Sequence, residues 1–527
     1  MGAVNVNRAL FDIPRCPRSN FLGPLCVVNS NILHIQSFPL KQLITAMKMK
    51  QDLMKCISSS MLTHSLFITT VTSLVVLAST LIIADPLQLR SAKKVQGESE
   101  EPTAREHAHA KSIKEVQKTW RLFIVPESGM ATCSLNHDSL KSALESKFEI
   151  SLKESRLVLS PEPDQYCATI SLRGVRSPFT SHYSFELYIN TAEDQKTLVK
   201  YGDHDHGGSP HDLLRYTVTP DEDFLHMTTL YDGTIGKENV VDLIVVPGLS
   251  SHPYGSFKSP QDATENWLRD YLPQKLPDIR IMVYGYNSAL LGGKGKETIQ
   301  HYATGLLDAI RLYRKDTKAP CIEQHRSERP IIFVAHSLGG LVVKQALVDA
   351  KDSNTGKDQK LLMSCYGLLF FGVPNRGLRH EELKAISGNS PIGQLVYDLV
   401  VDDDTEVKPY LRTLGQNFRK VFENKRLDIA AFYEGKTSPT VMRDEGNSGK
   451  WTRSGKNKLM VTQDSAIMVD GCRVTENIVP LAADHSNMVK FSTEHDSLYR
   501  PVQQKISDMV EEAPGVIKAL FNSINGV

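Results

Sequence analysis

The chain has 527 residues, 41% apolar and 23% charged, an ordinary globular mixture that excludes a wholly disordered or fibrous protein. Its 61 basic and 60 acidic residues leave a net charge of +1. That balance supplies no general attraction to nucleic acid, and no nucleic-acid partner is expected.

Residues 1–60 contain only two acids, Asp12 and Asp52, several Arg and Lys, and Pro14, Pro17, Pro24 and Pro39. They read as a leader without a packed core. Within residues 61–85, the run from Leu66 to Ala84 carries no charge on any face. A helix of that length spans about 28 Å, close to a bilayer's hydrocarbon core, so a single transmembrane helix is expected. Lysines and arginines flank it on both sides and fix no orientation. Residues 86–118 are charged and lack an apolar stripe, as in a solvated stalk. Residues 119–225 alternate short strand-like runs (WRLFIVP, CATISLRGV, HYSFELYI) with one helical run (HDSLKSALESKF), which predicts a small α+β domain. Asp203, His204, Asp205 and His206 lie here in a Gly-flanked loop. Neighbouring residues rarely converge on one ion, so a polar loop is expected. No metal and no cofactor is called for. None of the eight cysteines has CxxC spacing. Unpaired thiols are expected, with Cys133–Cys167 as the alternative.

From residue 226 to 527 the rhythm becomes strand, loop, helix. VVDLIVV, IRIMVYGY, PIIFVAH, CYGLLFFGV, LDIAAFY and KLMVTQD read as strands, and the last is taken as the final one. NWLRDYLPQKL, TIQHYATGLLDAIRLYR, LGGLVVKQALVDA and PGVIKALFNSI read as helices. Residues 379–425 are mostly helical and suit either a lid or core helices. Near-continuous apolar strands alternating with helices predict an α/β fold with a doubly wound, mostly parallel sheet.

The chemical signal is Ala335-His336-Ser337-Leu338-Gly339-Gly340, set between a strand and a helix. This is the placement of the nucleophile elbow of an α/β-hydrolase fold, with small residues at −2 and +2. Ala335 stands where a glycine is usual. The helix start aims N–H groups at a developing oxyanion. Leu338 N–H is one expected donor. The loop Pro247-Gly248-Leu249 after an earlier strand offers the other, from Leu249, with Gly248 permitting close approach. The serine hydroxyl needs a base. His485, on the loop before the last helix, has the right place in the order serine, acid, histidine. His252 and His336 come too early and can line the pocket; His380 and His495 are weaker rivals. Glu434 ends LDIAAFY, the strand after which this fold places its acid. Asp464 is the alternative acid. Asp484 neighbours the histidine, and adjacent extended residues point opposite ways.

These motifs, with VDLIVVPGLSSHPYGSF, MVYGY, FFGVPNRG, FYE and DHSNMVKF, resemble the serine-active-site-containing and GPI-inositol-deacylase-like branch of the α/β-hydrolases, of a fungal type. The resemblance covers residues 225–500. Members usually carry His-Gly where this chain has Pro247-Gly248. The resemblance implies a lipase-like serine esterase acting on lipid or phospholipid acyl esters. It also implies a membrane-associated home in the mitochondrion or endoplasmic reticulum. A catalytically inactive scaffold and a peptidase of the same fold are the competing readings.

Overall fold

Strands written as unbroken apolar runs need cover on both faces. The computed structural model describes residues 118–525, save for 128–134, 163–164, 191–212, 235–236, 238–239, 291–295, 316–325, 388–392, 402–406, 422, 424–426, 444–450 and 470–476. The expected leader, membrane helix, stalk and Asp203–His206 loop lie outside these residues, Lys118 of the stalk excepted. Among the described residues, no helix is long and apolar enough to cross a membrane.

An antiparallel five-stranded sheet comes first. It is built from β1 (Thr119–Pro126), β2 (Arg156–Pro161), β3 (Tyr166–Ser171), β4 (Phe185–Asn190) and β5 (Leu213–Asp221), in the order β2-β3-β1-β5-β4. The helix His137–Phe148 covers one face through Leu140 and Leu144. The core of this layer includes Trp120, Leu122 and Ile170. Cys167 lies buried here, and Cys365 in the larger sheet.

The second sheet has seven strands: β6 (His226–Asp232), β7 (Val241–Val246), β8 (Ile279–Gly285), β9 (Ile331–His336), β10 (Cys365–Phe371), β11 (Asp428–Glu434) and, after two small ribbons, β16 (Ile478–Leu481). The ribbons pair β12 (Ser438–Pro439) with β15 (Asn457–Lys458), and β13 (Met442–Arg443) with β14 (Trp451–Thr452). The order is β16-β11-β10-β9-β7-β8-β6, parallel except for the antiparallel edge strand β6. Separate apolar cores form on its two faces. The helices Ile299–Tyr313 and Leu338–Asp352 pack on one, and Tyr499–Asn525 on the other.

Two expectations are corrected here. KLMVTQD is not a strand. Only Asn457 and Lys458 pair, and Thr462 then caps a short helix, Gln463–Ile467, by accepting from Ser465 N. The last strand is instead β16, four residues read from IVPL. The terminal helix is also longer than PGVIKALFNSI; it starts at Tyr499 and carries Pro514 inside.

Register brings the functional ends together. Val246 pairs with Ala335, His336 with Phe371, Phe371 with Phe432 and Glu434 with Leu481. The loops that follow β7, β9, β10, β11 and β16 therefore leave from one edge, where open α/β sheets bind ligands. The five-stranded sheet meets the segment between β7 and β8. Arg269 donates to Ser171 Oγ at 3.1 Å, and Arg173 to Thr264 Oγ1 at 2.8 Å. The same segment reaches the loop beyond β16, with Trp267 Nε1 donating to Val489 O at 3.0 Å and Ser259 Oγ to Ser492 O at 2.9 Å.

Candidate active site

Ser337 sits between β9 and the helix Leu338–Asp352 with φ 54° and ψ −125°. A non-glycine residue avoids that region, at a cost of about 1–3 kcal/mol, and it persists only where the surroundings enforce it. Here Ser337 N donates to Phe371 O at 2.9 Å, and Gly340 N to Ser337 O at 3.0 Å. Gly339 lies so close to β7 that a Cβ would meet Val246 O at 2.3 Å and Pro247 O at 2.4 Å. At Gly340 a Cβ would meet Val373 at 2.2 Å. Ala335, two residues before the serine, is fully buried with its methyl accommodated. Gly339→Ala is accordingly expected to destabilise by about 3 kcal/mol, because rigid backbone carbonyls leave the methyl no room. A thermal melt within about 2 °C of wild type would show that the elbow can shift to admit it.

His485 faces the serine from the loop after β16, with Nε2 3.0 Å from Ser337 Oγ. For Nε2 to accept the hydroxyl proton, Nδ1 must carry the ring hydrogen. Nδ1 points toward Glu434, 3.8 Å from Oε1. That is too long for a hydrogen bond and close enough for an ion pair once the ring is charged. Glu434 is buried and accepts from Val461 N. Asp464 lies elsewhere, exposed in the first turn of the helix Gln463–Ile467. Asp484 turns inward on its own loop, where Oδ1 accepts from Ser486 N and Asn487 N and Oδ2 from Asn487 Nδ2.

Contacts that the sequence did not disclose fix the histidine loop. His336 Nε2 donates to His485 O at 2.8 Å, and the two rings lie 5.0 Å apart. Ser438 Oγ accepts from His485 N at 3.3 Å. Gly372, at φ 53°, leaves room for the ring, since a Cβ there would stand 3.1 Å from His485 Nδ1. The only local hint was the small residue after FF. Hydrogen bonds to a loop about 150 residues away leave no pattern in sequence.

Burial dominates the proton affinities. It holds His485 well below the ordinary imidazole value, helped by the neighbouring His336. It brings His336 down to about 4 and pushes Glu434 up to about 7. A neutral His485 is the form able to take a proton from a hydroxyl.

The loop Pro247-Gly248-Leu249 reaches over the elbow. A Cβ on Gly248 would stand 3.0 Å from Ser337 Cβ, and Tyr286 OH donates to Pro247 O at 2.7 Å. Leu338 opens its helix, where backbone N–H groups have no intrahelical acceptor. A cavity of about 1370 Å³ opens here, lined by Ser337, His336, His485 and Leu249. Leu378, Leu383 and Ile386 add apolar walls, so the 379–425 segment serves the cavity, while its Leu395, Leu399 and Leu411 pack in the core. The other histidines have different engagements. His252 bonds Glu222 O and the Tyr254 and Gly255 N–H groups, His380 accepts from Val441 N, and His495 is exposed beside Glu494.

No family model matches the chain. Over 251 residues, 47% of this chain and 34% of the relative, it is 28% identical to Protein SERAC1 of Danio rerio. Over 246 residues, 46% and 33% of the two chains, it is 24% identical to Protein SERAC1 of Homo sapiens. The chain thus spans about a third of the length of the curated relatives it matches. The fungal and GPI-inositol-deacylase parts of the resemblance draw no support from these relatives. Among solved structures it is similar to Bacillus licheniformis lipase BlEst2 (15% identity, TM-score 0.32, 53% of this chain and 97% of that one). It is also similar to a lipase-esterase related protein of Clostridium acetobutylicum (12%, 0.29, 54% and 99%). The strand order, the antiparallel edge strand and the strained serine turn show that the fold is that of the α/β-hydrolases.

Proposed function

We propose that the chain is a serine hydrolase that cleaves carboxylic esters, lipid acyl esters among them, through an acyl-enzyme on Ser337. The carrying observation is the 3.0 Å approach of His485 Nε2 to Ser337 Oγ at a strained elbow. Ser337 Oγ attacks the ester carbonyl while its proton passes to His485 Nε2. The charge left on the carbonyl oxygen falls between the N–H groups of Leu338 and Leu249. Glu434 stabilises the imidazolium so formed. The intermediate collapses, the C–O bond to the alcohol breaks, and His485 returns the proton to the departing alkoxide. Water then repeats the sequence on the acyl-enzyme and frees the acid. A fluorophosphonate probe tests the reading, because it labels an activated serine only. Labelling of the wild type that is lost in Ser337→Ala is the expected outcome; an unlabelled wild type would favour the inactive scaffold.

The apolar cavity walls and the charge-free run 66–84 support a substrate met at a membrane, with that run as the anchor. The mitochondrion and the endoplasmic reticulum are the homes the family resemblance supports. The expressed chain is expected to stay with membranes through carbonate extraction at high pH. Its release while residues 66–84 remain uncleaved would remove the anchor from the proposal.

A further inference from the structure

Four cationic side chains line the cavity that opens on Ser337: Lys118, Lys258, Arg453 and Lys490. Glu222 pairs with Lys118. Among the described residues, no carboxylate forms an ion pair with the other three. Two of these, Arg453 and Lys490, gather at the histidine loop. Arg453 Nη1 donates to Ser486 Oγ at 2.7 Å, on the residue next to His485. Lys490 closes the same loop, half-buried, with Nζ 3.5 Å from Asn487 Oδ1. Asp484, the acid closest along the chain, spends its oxygens on the Ser486 and Asn487 N–H groups and the Asn487 amide.

The pair of cations is a liability for the chemistry. Burial and then the charge of Arg453 push the Lys490 ammonium below its ordinary value. Arg453 also disfavours a proton on His485, and Lys490 one on His336. Yet the proposed reaction must make His485 positive. Glu434 opposes the charge on His485 from one side and Asp484 favours the Lys490 ammonium; the positive charge of Arg453 and Lys490 still raises the barrier, and an anion arriving with the substrate would offset it. The position of the charges also selects one half of the substrate. His485 hands its proton to the leaving alkoxide, so the alcohol half of the ester must rest against the histidine loop. Leu249, Leu290, Leu378, Leu383 and Ile386 add apolar lining from other segments, while Trp451 and Val489 flank the two cations themselves.

We propose that Arg453 and Lys490 form an anion subsite for the leaving alcohol, so that the preferred substrates are esters whose alcohol carries a phosphate or a carboxylate. This rests on the serine-hydrolase reading above. Arg453 presents a planar fork suited to either oxyanion, Lys490 a point charge, and Ser486 a hydroxyl between them in sequence.

The test compares kcat/KM within matched pairs at low salt. The phosphate pair is 1-butyrylglycerol 3-phosphate against 1-butyrylglycerol. The carboxylate pair is 3-butyryloxybenzoate against phenyl butyrate. Phenyl hydrogen succinate carries its charge on the acyl side and serves as the control. The wild type is expected to prefer the anionic alcohol in at least one pair by about tenfold or more, as two charge-assisted contacts allow. The preference should shrink as salt rises. Phenyl hydrogen succinate should gain nothing over phenyl butyrate. Arg453→Gln and Lys490→Gln should each cut the preference at least about threefold. Lys490→Gln leaves the Arg453–Ser486 contact in place, so a shared loss through a disturbed histidine loop can be told apart. Which pair responds distinguishes phosphate from carboxylate. No preference in either pair, or one that both variants retain, overturns the subsite while the hydrolase reading stands. If no ester is cleaved and Ser337 is not labelled, the hydrolase reading falls instead. The subsite is then read by calorimetric titration of glycerol 3-phosphate and 3-hydroxybenzoate. Binding of either, weakened in Lys490→Gln, supports it, and no binding of both removes it.

Discussion

Glu434→Gln is expected to lower kcat by up to about 10⁴ while making the folded protein more stable at alkaline pH. The two effects have separate causes. Glutamine cannot offset the charge that develops on His485, and it gives the ring no reason to keep its proton on Nδ1. Stability moves the other way because burial raises the Glu434 carboxyl to about 7. The folded chain therefore holds a proton that the unfolded chain has released, between the ordinary glutamate value and about 7. That contribution is fully present below the unfolded value and is lost as pH climbs through about 7. An amide carries no such penalty, so Glu434→Gln should gain roughly 3 kcal/mol over wild type at pH 8 and little at pH 4. Wild-type kcat should rise through about pH 7 as Glu434 ionises, and the variant should lack that limb. Asp464→Asn, on an exposed helix start, should stay within about twofold of wild type. A crippled Asp464→Asn beside a normal Glu434→Gln would reverse the assignment of the acid.

Ser337→Ala should remove ester hydrolysis by several orders of magnitude, about 10⁶ where the closest precedents lie, with only background from the oxyanion donors left. Its melting curve should match or exceed wild type. Alanine keeps the backbone turn, and among the described residues no hydrogen bond depends on Oγ beyond that to His485. Activity retained within about tenfold would remove Ser337 from its role. A collapsed melt would instead place the loss in folding, and Ser337→Gly, freer at positive φ, would then separate the two.

Most of the scaffold was legible because buried parallel strands are written as unbroken apolar runs. VVDLIVV, PIIFVAH and CYGLLFFGV became β7, β9 and β10. The serine was legible because its turn requires small neighbours, which Gly339 makes plain by its distance from β7. The last strand was not. KLMV is apolar enough for a strand, but Thr462 starts a helix by capping it, whereas IVPL is short and holds a proline at the sheet's edge. Strand β6 was also missed, since HMTTLYD mixes polar and apolar residues at an edge. The strand count still put Glu434 at the end of β11, because the error fell after it. The grip of His336 and Ser438 on the histidine loop, and the Arg453–Ser486 contact, depend on three-dimensional neighbours and have no local signature.

On the proposed function, the edge strand β16 also sets when this chain could first act. Ser337, the proposed donors Leu338 and Leu249, and Glu434 all precede Ile478 in the order of synthesis. A nascent chain that has emerged only as far as β11 can form the turn and the donors, and its serine remains an ordinary alcohol. The base arrives once β16 has paired with the ready-made edge of Ala431–Glu434 and carried His485 into place. On the proposed reading, the base thus joins the serine only after the rest of the sheet that shields the acyl-enzyme has been made, with the helix Tyr499–Asn525 still to follow.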